Sequence, residues 1–217
     1  MTFRTPALDQ PQIRAVIMDY GQVLCHLPSA EHIDRFARMF QVDSESFLPI
    51  YLRSRAAYDR GDLLPAEYWD SFAAQVGIKL DPQTLGDIRR LDVEMWCRQN
   101  EPMIRWVEEI HSAGFKTAIM SNMPLDLVDY LRANAAWINQ FDQKIFSAEV
   151  HSVKPEPAIY QHAIDVLEVE PLQALFIDDR EENLDQARTV GIRAVRYQSV
   201  PQVREDLRDL GFTILPR

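Results

Sequence analysis

Four short apolar runs punctuate the chain, at Ala15 to Met18, Thr117 to Met120, Ala174 to Ile177 and Arg193 to Tyr197. Short, largely continuous runs of this kind read as strands of a sheet covered on both faces. The last three each follow a segment with helical period. Ile104, Val107 and Ile110 line one such face, opened by Pro102 and ended by Gly114. Ile159, Ala163, Ile164 and Leu167 form another, and Leu184 with Ala187 before Gly191 a third. Lys144 to Ser147 is a further candidate strand. Strands alternating with helices predict a doubly wound α/β fold with a parallel sheet.

From Pro28 to Gln99 the pattern changes, with helical stripes and no convincing strand. Ile33, Phe36, Ala37 and Phe40 recur at helical spacing, as do Tyr68, Trp69, Phe72, Ala73 and Val76 before Gly77, and Leu85, Ile88, Leu91 and Met95. We therefore expect an α/β core from residues 1–27 and 100–217, interrupted by an all-helical domain at 28–99. An insertion leaving the ligand-binding edge of a sheet is well positioned to serve as a lid. Neither an internal repeat nor a low-complexity segment is visible.

Composition narrows the partners. With 33 acidic against 23 basic side chains, the formal net charge is −10, and no long block of like charge interrupts the mixture. General binding to nucleic acid or an anionic membrane is disfavoured. The two cysteines, Cys25 and Cys97, make neither a disulfide framework nor a zinc site, and read as reduced thiols. The first twelve residues are polar and carry no basic-then-apolar leader, and no segment has the apolar length of a membrane span. The expectation is a cytoplasmic protein, monomer or homodimer.

The candidate chemistry sits where strands end. Asp19 closes the first run, Ser121-Asn122 the second and Asp178-Asp179 the third, with Asn183 behind them and Lys154-Pro155 in a loop entering a helix. A parallel sheet gathers such positions at one edge. A carboxylate such as Asp19 can attack phosphorus or an activated carbon and form a covalent intermediate. Asp178 and Asp179, with Asp19 and a backbone carbonyl, offer the oxygen ligands that Mg²⁺ prefers. Lys154 adds a positive charge able to neutralise both Asp19 and a phosphoryl group, and Ser121 before Pro124 can face a phosphate at a helix N-terminus. The set points to phosphoryl transfer on a small phosphorylated metabolite.

These stretches resemble the haloacid dehalogenase-type hydrolase superfamily, helical-cap type. The likeness is carried by Ala15 to Leu24, Ala118 to Asn122, Ser152 to Tyr160 and Leu175 to Asp179 with Asn183 and Ala187. It implies Asp19 as nucleophile, with Lys154 beside it in catalysis. It also implies substrate contacts from Ser121, Asn122, Lys154, Gly21 and Gln22. Mg²⁺ would be held by Asp19, the Gly21 carbonyl, Asp178 and Asp179, with Asn183 in support. The chain departs from the family at Gly21, where most members carry a second Asp as general acid and base. A branch similar to bacterial α-glucose-1-phosphate phosphatases also has Gly there, followed by Asn where this chain has Gln22.

The resemblance implies a Mg²⁺-dependent phosphatase, with sugar 1-phosphates and acyl phosphates as first substrates to examine, since their leaving groups depend less on protonation. Two alternatives stay open. One is a 2-haloacid dehalogenase, which needs no proton donor for a halide; the other is a metabolite-binding protein weakened by Gly21. Cys25 and His26 read as loop or core residues, and His111 and His162 as helix residues, while His151 lies nearer the cluster. In the run from Tyr51 to Arg60 the aromatics read as core and the arginines as a solvated face.

Overall fold

The computed structural model describes residues 12–53 and 55–217. The expectation for the N-terminal stretch and for Ser54 therefore lies outside the described residues. β1 (Ala15–Met18) is buried at every position, as a strand covered on both faces must be. The chain then leaves the sheet for α1 (Ala30–Met39), α2 (Ser44–Arg53), α3 (Arg55–Arg60), α4 (Pro65–Gln75) and α5 (Pro82–Glu94). It returns through α6 (Glu101–Ser112), β2 (Lys116–Ser121), α7 (Leu125–Asn134), β3 (Gln143–Phe146), α8 (Ser147–Val150) and α9 (Pro157–Leu167). β4 (Ala174–Asp178), α10 (Glu181–Thr189), β5 (Arg193–Arg196) and α11 (Val200–Asp209) complete it.

The strands form one sheet in the order β3-β2-β1-β4-β5, parallel at every pairing. The predicted doubly wound α/β fold is the one observed. β3 begins and ends one residue before the expected Lys144 to Ser147, because Ser147 turns into α8. There its hydroxyl donates to the Asp59 carbonyl and accepts the Met123 N–H. Alternation along β1 sends Val16 and Met18 into a cluster with Val107, Val128 and Leu207, while Ala15 and Ile17 join Ile159, Ala163 and Leu184 on the opposite face. From β1 the sheet grows through β2 to β3, then crosses back for β4 and β5. The order therefore reverses between β1 and β4, the crevice in which such sheets bind ligands.

The inserted helices bury their own cluster, which includes Phe36, Phe40, Phe47, Tyr51, Trp69, Phe72 and Leu91. Caps mark their starts: Ser29 accepts the His32 N–H, and Asp81 accepts those of Gln83 and Thr84 at 2.9 and 3.0 Å. The aromatics are core, as expected, but Arg55 corrects the reading of the arginines as a solvated face. Its guanidinium lies over the rings of Tyr51, Tyr58 and Tyr68 and faces Asp59 and Asp92, with a side chain only 12% exposed. Two carboxylates hold it inside, at separations the local pattern does not encode.

α3 also carries contacts to the sheet's helices. Tyr58 Oη donates to Asp126, Arg60 pairs with Glu156, and from α5 Arg89 makes a bidentate pair with Asp126 at 2.7 Å. Gly61 follows with φ +82°, and a Cβ there would lie 2.8 Å from the Ala148 carbonyl, so the turn passes α8 too closely for a side chain. Among the described residues no helix is long and apolar enough to cross a membrane.

Candidate active site

Asp19 continues from β1, its N–H donating to the Ile177 carbonyl at 2.9 Å, which holds the ends of β1 and β4 side by side. Its Oδ1 accepts the Tyr20 N–H and lies 2.7 Å from Lys154 Nζ. The same ammonium donates to Asp178 Oδ2 at 2.7 Å, so Lys154, itself 5% exposed, ties the two strand ends together. Asp178 is wholly buried, and it also accepts the Arg180 N–H at 2.8 Å and Asn183 Nδ2 at 3.0 Å from each oxygen. Asp179, half-buried, makes no ion pair among the described residues.

Asp19, Asp178 and Asp179 each offer an oxygen within 4.8 Å of the others, against one ammonium among the described residues. The electrostatics follow from that imbalance. Burial, with Asp178 and Asp179 nearby, holds the Asp19 carboxyl above its ordinary range despite the pull of Lys154. Burial and Asp178 raise Asp179 likewise. For Lys154 burial acts against the charge, and Asp178 and Asp19 outweigh it, so the ammonium persists.

A divalent cation fits this donor set. Asp19 Oδ2 accepts no hydrogen bond among the described residues, and the Gly21 carbonyl, which accepts the Val23 N–H at 2.7 Å, retains a second lone pair. Asn183 Oδ1 is buried without a partner among them, an acceptor that the water ligands of a hydrated cation can serve.

The other expected residues divide. Ser121, 3% exposed at the end of β2, makes no side-chain hydrogen bond among the described residues and keeps its hydroxyl for a ligand. Asn122 is engaged on both sides of its amide, Nδ2 donating to the Lys154 carbonyl at 2.8 Å and Oδ1 accepting the Lys154 N–H at 2.7 Å. Gln22 stands half-exposed at φ 61°, its amide making no hydrogen bond among the described residues. Cys25 is buried and its thiol is pushed up to about 12, mainly by burial, which suits a core residue. His151 and His162 are exposed, and His111 faces Asp142.

Residues absent from the sequence reading also shape the site. Tyr160 Oη donates to the Asn183 carbonyl at 3.0 Å, joining α9 to the start of α10. Phe176 lies beneath Lys154 Nζ, 5.4 Å from its ring centre. Trp96 comes within 3.7 Å of where a Gly21 Cβ would stand. Tyr160 lies six residues beyond Lys154 in a recognised stretch; Trp96 offers no comparable signal.

Known proteins resemble this chain to different extents. Bifunctional epoxide hydrolase 2 of Rattus norvegicus is 31% identical over 121 residues, which are 54% of this chain and 22% of that protein. (S)-2-haloacid dehalogenase 1 of Pseudomonas sp. (strain CBS-3) is 29% identical over 96 residues, 44% of this chain and 42% of its own. The chain thus covers less than half of either relative. Among solved structures, a HAD family enzyme of Bacteroides thetaiotaomicron in a magnesium complex has a TM-score of 0.75 at 21% identity, covering 91% of this chain and 100% of that one. L-2-haloacid dehalogenase of Xanthobacter autotrophicus with chloropropionic acid covalently bound gives 0.64 at 22% identity, covering 94% and 85%. At these identities the likeness is one of fold. The sequence model that spans most of the chain, residues 13–191, is that of the haloacid dehalogenase-like hydrolases, and the protein belongs to that family.

Proposed function

We propose that the protein is a Mg²⁺-dependent phosphatase of small phosphorylated metabolites, sugar phosphates among them, acting through an aspartyl-phosphate on Asp19. The observation that carries this reading is the cluster of Asp19, Asp178 and Asp179 around one lysine. Halide displacement from a 2-haloacid has no use for two extra carboxylates beside the nucleophile, whereas a phosphate ester needs the cation they would hold. Bound by Asp19, Asp179, the Gly21 carbonyl and Asp178, Mg²⁺ would supply positive charge beside the phosphoryl oxygens.

The Asp19 carboxylate attacks phosphorus as the bond to the leaving oxygen breaks, and that oxygen takes its proton from solvent because residue 21 offers none. Water then attacks the same phosphorus, the bond to Asp19 breaks, and the carboxylate is restored. Lys154 fixes Asp19 through Oδ1 and neutralises charge on the transferring group, toward which Ser121 directs its hydroxyl. Asn122 holds the lysine loop by its main chain. Without a general acid, a loss of about 10²–10⁴-fold falls on poor leaving groups. Sugar 1-phosphates and acyl phosphates suffer least. The helices of residues 28–99 act as the cap domain over the core of 1–27 and 100–217.

The test is phosphate release from a panel of phosphorylated metabolites, with Mg²⁺ and with chelator, on wild type and Asp19→Asn. Release that needs Mg²⁺ and vanishes in the variant is expected. Release that survives in Asp19→Asn would falsify the nucleophile assignment, and chloride release from a 2-haloacid under chelation would favour a dehalogenase. Binding of a metabolite without turnover would favour a binding protein.

A further inference from the structure

We propose that Trp96 is the platform on which the leaving group rests, using space left by the missing side chain of residue 21, and that it favours ring-shaped polyols over acyclic leaving groups. This deepens the phosphatase reading and rests on Asp19 receiving the phosphoryl group.

Nothing in the backbone requires glycine at 21. Its φ is outside the left-handed region, and a Cβ would meet only ordinary contacts, Trp96 Cζ3 at 3.7 Å and Asp19 Oδ2 at 4.0 Å. The indole edge and the oxygen of the nucleophile that accepts no hydrogen bond among the described residues therefore border the same small space, open to a leaving group whose phosphorus faces Asp19. Trp96 is held there from several sides. Its carbonyl accepts Tyr20 Oη at 2.6 Å, and its Nε1 donates to Tyr51 Oη at 3.5 Å. The segment that follows this turn is laced to the nucleophile loop by His26 N–H to the Arg98 carbonyl at 2.7 Å and Asn100 N–H to the Leu24 carbonyl at 2.9 Å. An indole fixed at its N–H end presents its benzene end to the pocket.

The neighbouring residue completes the chemistry. Gln22, half-exposed and with an amide that makes no hydrogen bond among the described residues, stands next to Gly21 and can bond hydroxyl groups. A flat apolar surface matches the C–H face of a ring, and an amide on the next residue of the loop can serve its rim of hydroxyls. An acyclic acyl group offers neither.

The experiment compares wild type, Trp96→Phe and Trp96→Leu on α-glucose 1-phosphate and acetyl phosphate, with thermal unfolding of each variant. In Trp96→Leu we expect kcat/KM for the sugar phosphate to fall by about tenfold or more, mostly through KM, as loss of an apolar contact does. Acetyl phosphate should stay within about twofold, and Trp96→Phe should recover most of the loss. An equal fall on both substrates, or none on either, overturns the platform role. If wild type hydrolyses neither, the phosphatase reading is decided by the wider metabolite panel with Asp19→Asn, and the seat for a ring-shaped polyol on Trp96 by calorimetry. Tighter binding of α-glucose 1-phosphate than of inorganic phosphate, lost in Trp96→Leu, sustains it, and equal binding overturns it.

Discussion

Replacing Asp59 by Asn should stabilise the protein at neutral pH, although the change removes a buried ion pair. Arg55 Nε lies 2.8 Å from Asp59 Oδ1, but without the alignment of a hydrogen bond, whereas its Nη1 donates to both oxygens of Asp92 at 3.1 Å. One guanidinium thus faces two carboxylates, and it is Asp92 that accepts its hydrogen bonds. Burial, opposed by Arg55 and aided by Asp92, pushes the Asp59 carboxyl from 3.8 up to about 6. A carboxyl with a raised folded-state pKa binds more protons folded than unfolded across that window. Stability is therefore greatest below 3.8, falls as pH rises to about 6, and stays lower above it. Two pH units correspond to about 3 kcal/mol. Asn carries no charge to bury, so Asp59→Asn should match wild type near about pH 4 and exceed it by up to about 3 kcal/mol at about pH 7.5 in urea unfolding. Asp92→Asn should go the other way by about 1.5–3 kcal/mol, since it removes the charged acceptor of Arg55 Nη1 and weakens that of Tyr51 Oη. A loss of stability above about 1 kcal/mol in Asp59→Asn at neutral pH, or a difference that does not change with pH, would refute the argument.

Three further outcomes are expected. Lys154→Met removes the ammonium that joins Asp19 to Asp178; kcat should drop by about 10²–10³, and retained turnover in a folded variant would assign the charge elsewhere. Gly61→Ala, at φ +82° and 2.8 Å from the Ala148 carbonyl, should cost about 1–3 kcal/mol in thermal unfolding, and an unchanged midpoint would mean that α8 yields. Mg²⁺ at about a hundred times its Kd should stabilise wild type by about 2.7 kcal/mol. Asp179→Asn should lose most of that gain, and full retention would remove Asp179 from the cation site.

Much of this was legible from residue order, for identifiable reasons. Asp19, Ser121 and Asp178 stand out because a polar residue directly after a buried run marks the edge of a parallel sheet. The helical stripes of Phe36 and Phe40, and of Trp69 and Phe72, announce a separate cluster because helical spacing is local. What escaped depends on partners far along the chain. Arg55 reads as a surface residue until Asp92, 37 positions away, neutralises it. Trp96 stands one residue beyond the stripe of Leu85, Ile88, Leu91 and Met95 and carries no signal of its own, and only the fold brings it beside Gly21. Asn122 reads as a ligand for substrate, yet its amide is engaged by a loop 32 positions on. Periodicity reports a residue's own element and says nothing of what another element brings to it.

That grip by Asn122 has a consequence for how the site can change. Because both ends of the amide hold the main chain at position 154, the path of the loop does not depend on the side chain it carries. Shape and charge are inherited through different residues. A descendant could exchange the lysine without misplacing the loop, or lose the asparagine and keep an ammonium that no longer reaches its carboxylates. The two failures would look alike in an activity assay and differ in whether a small soluble amine could restore turnover.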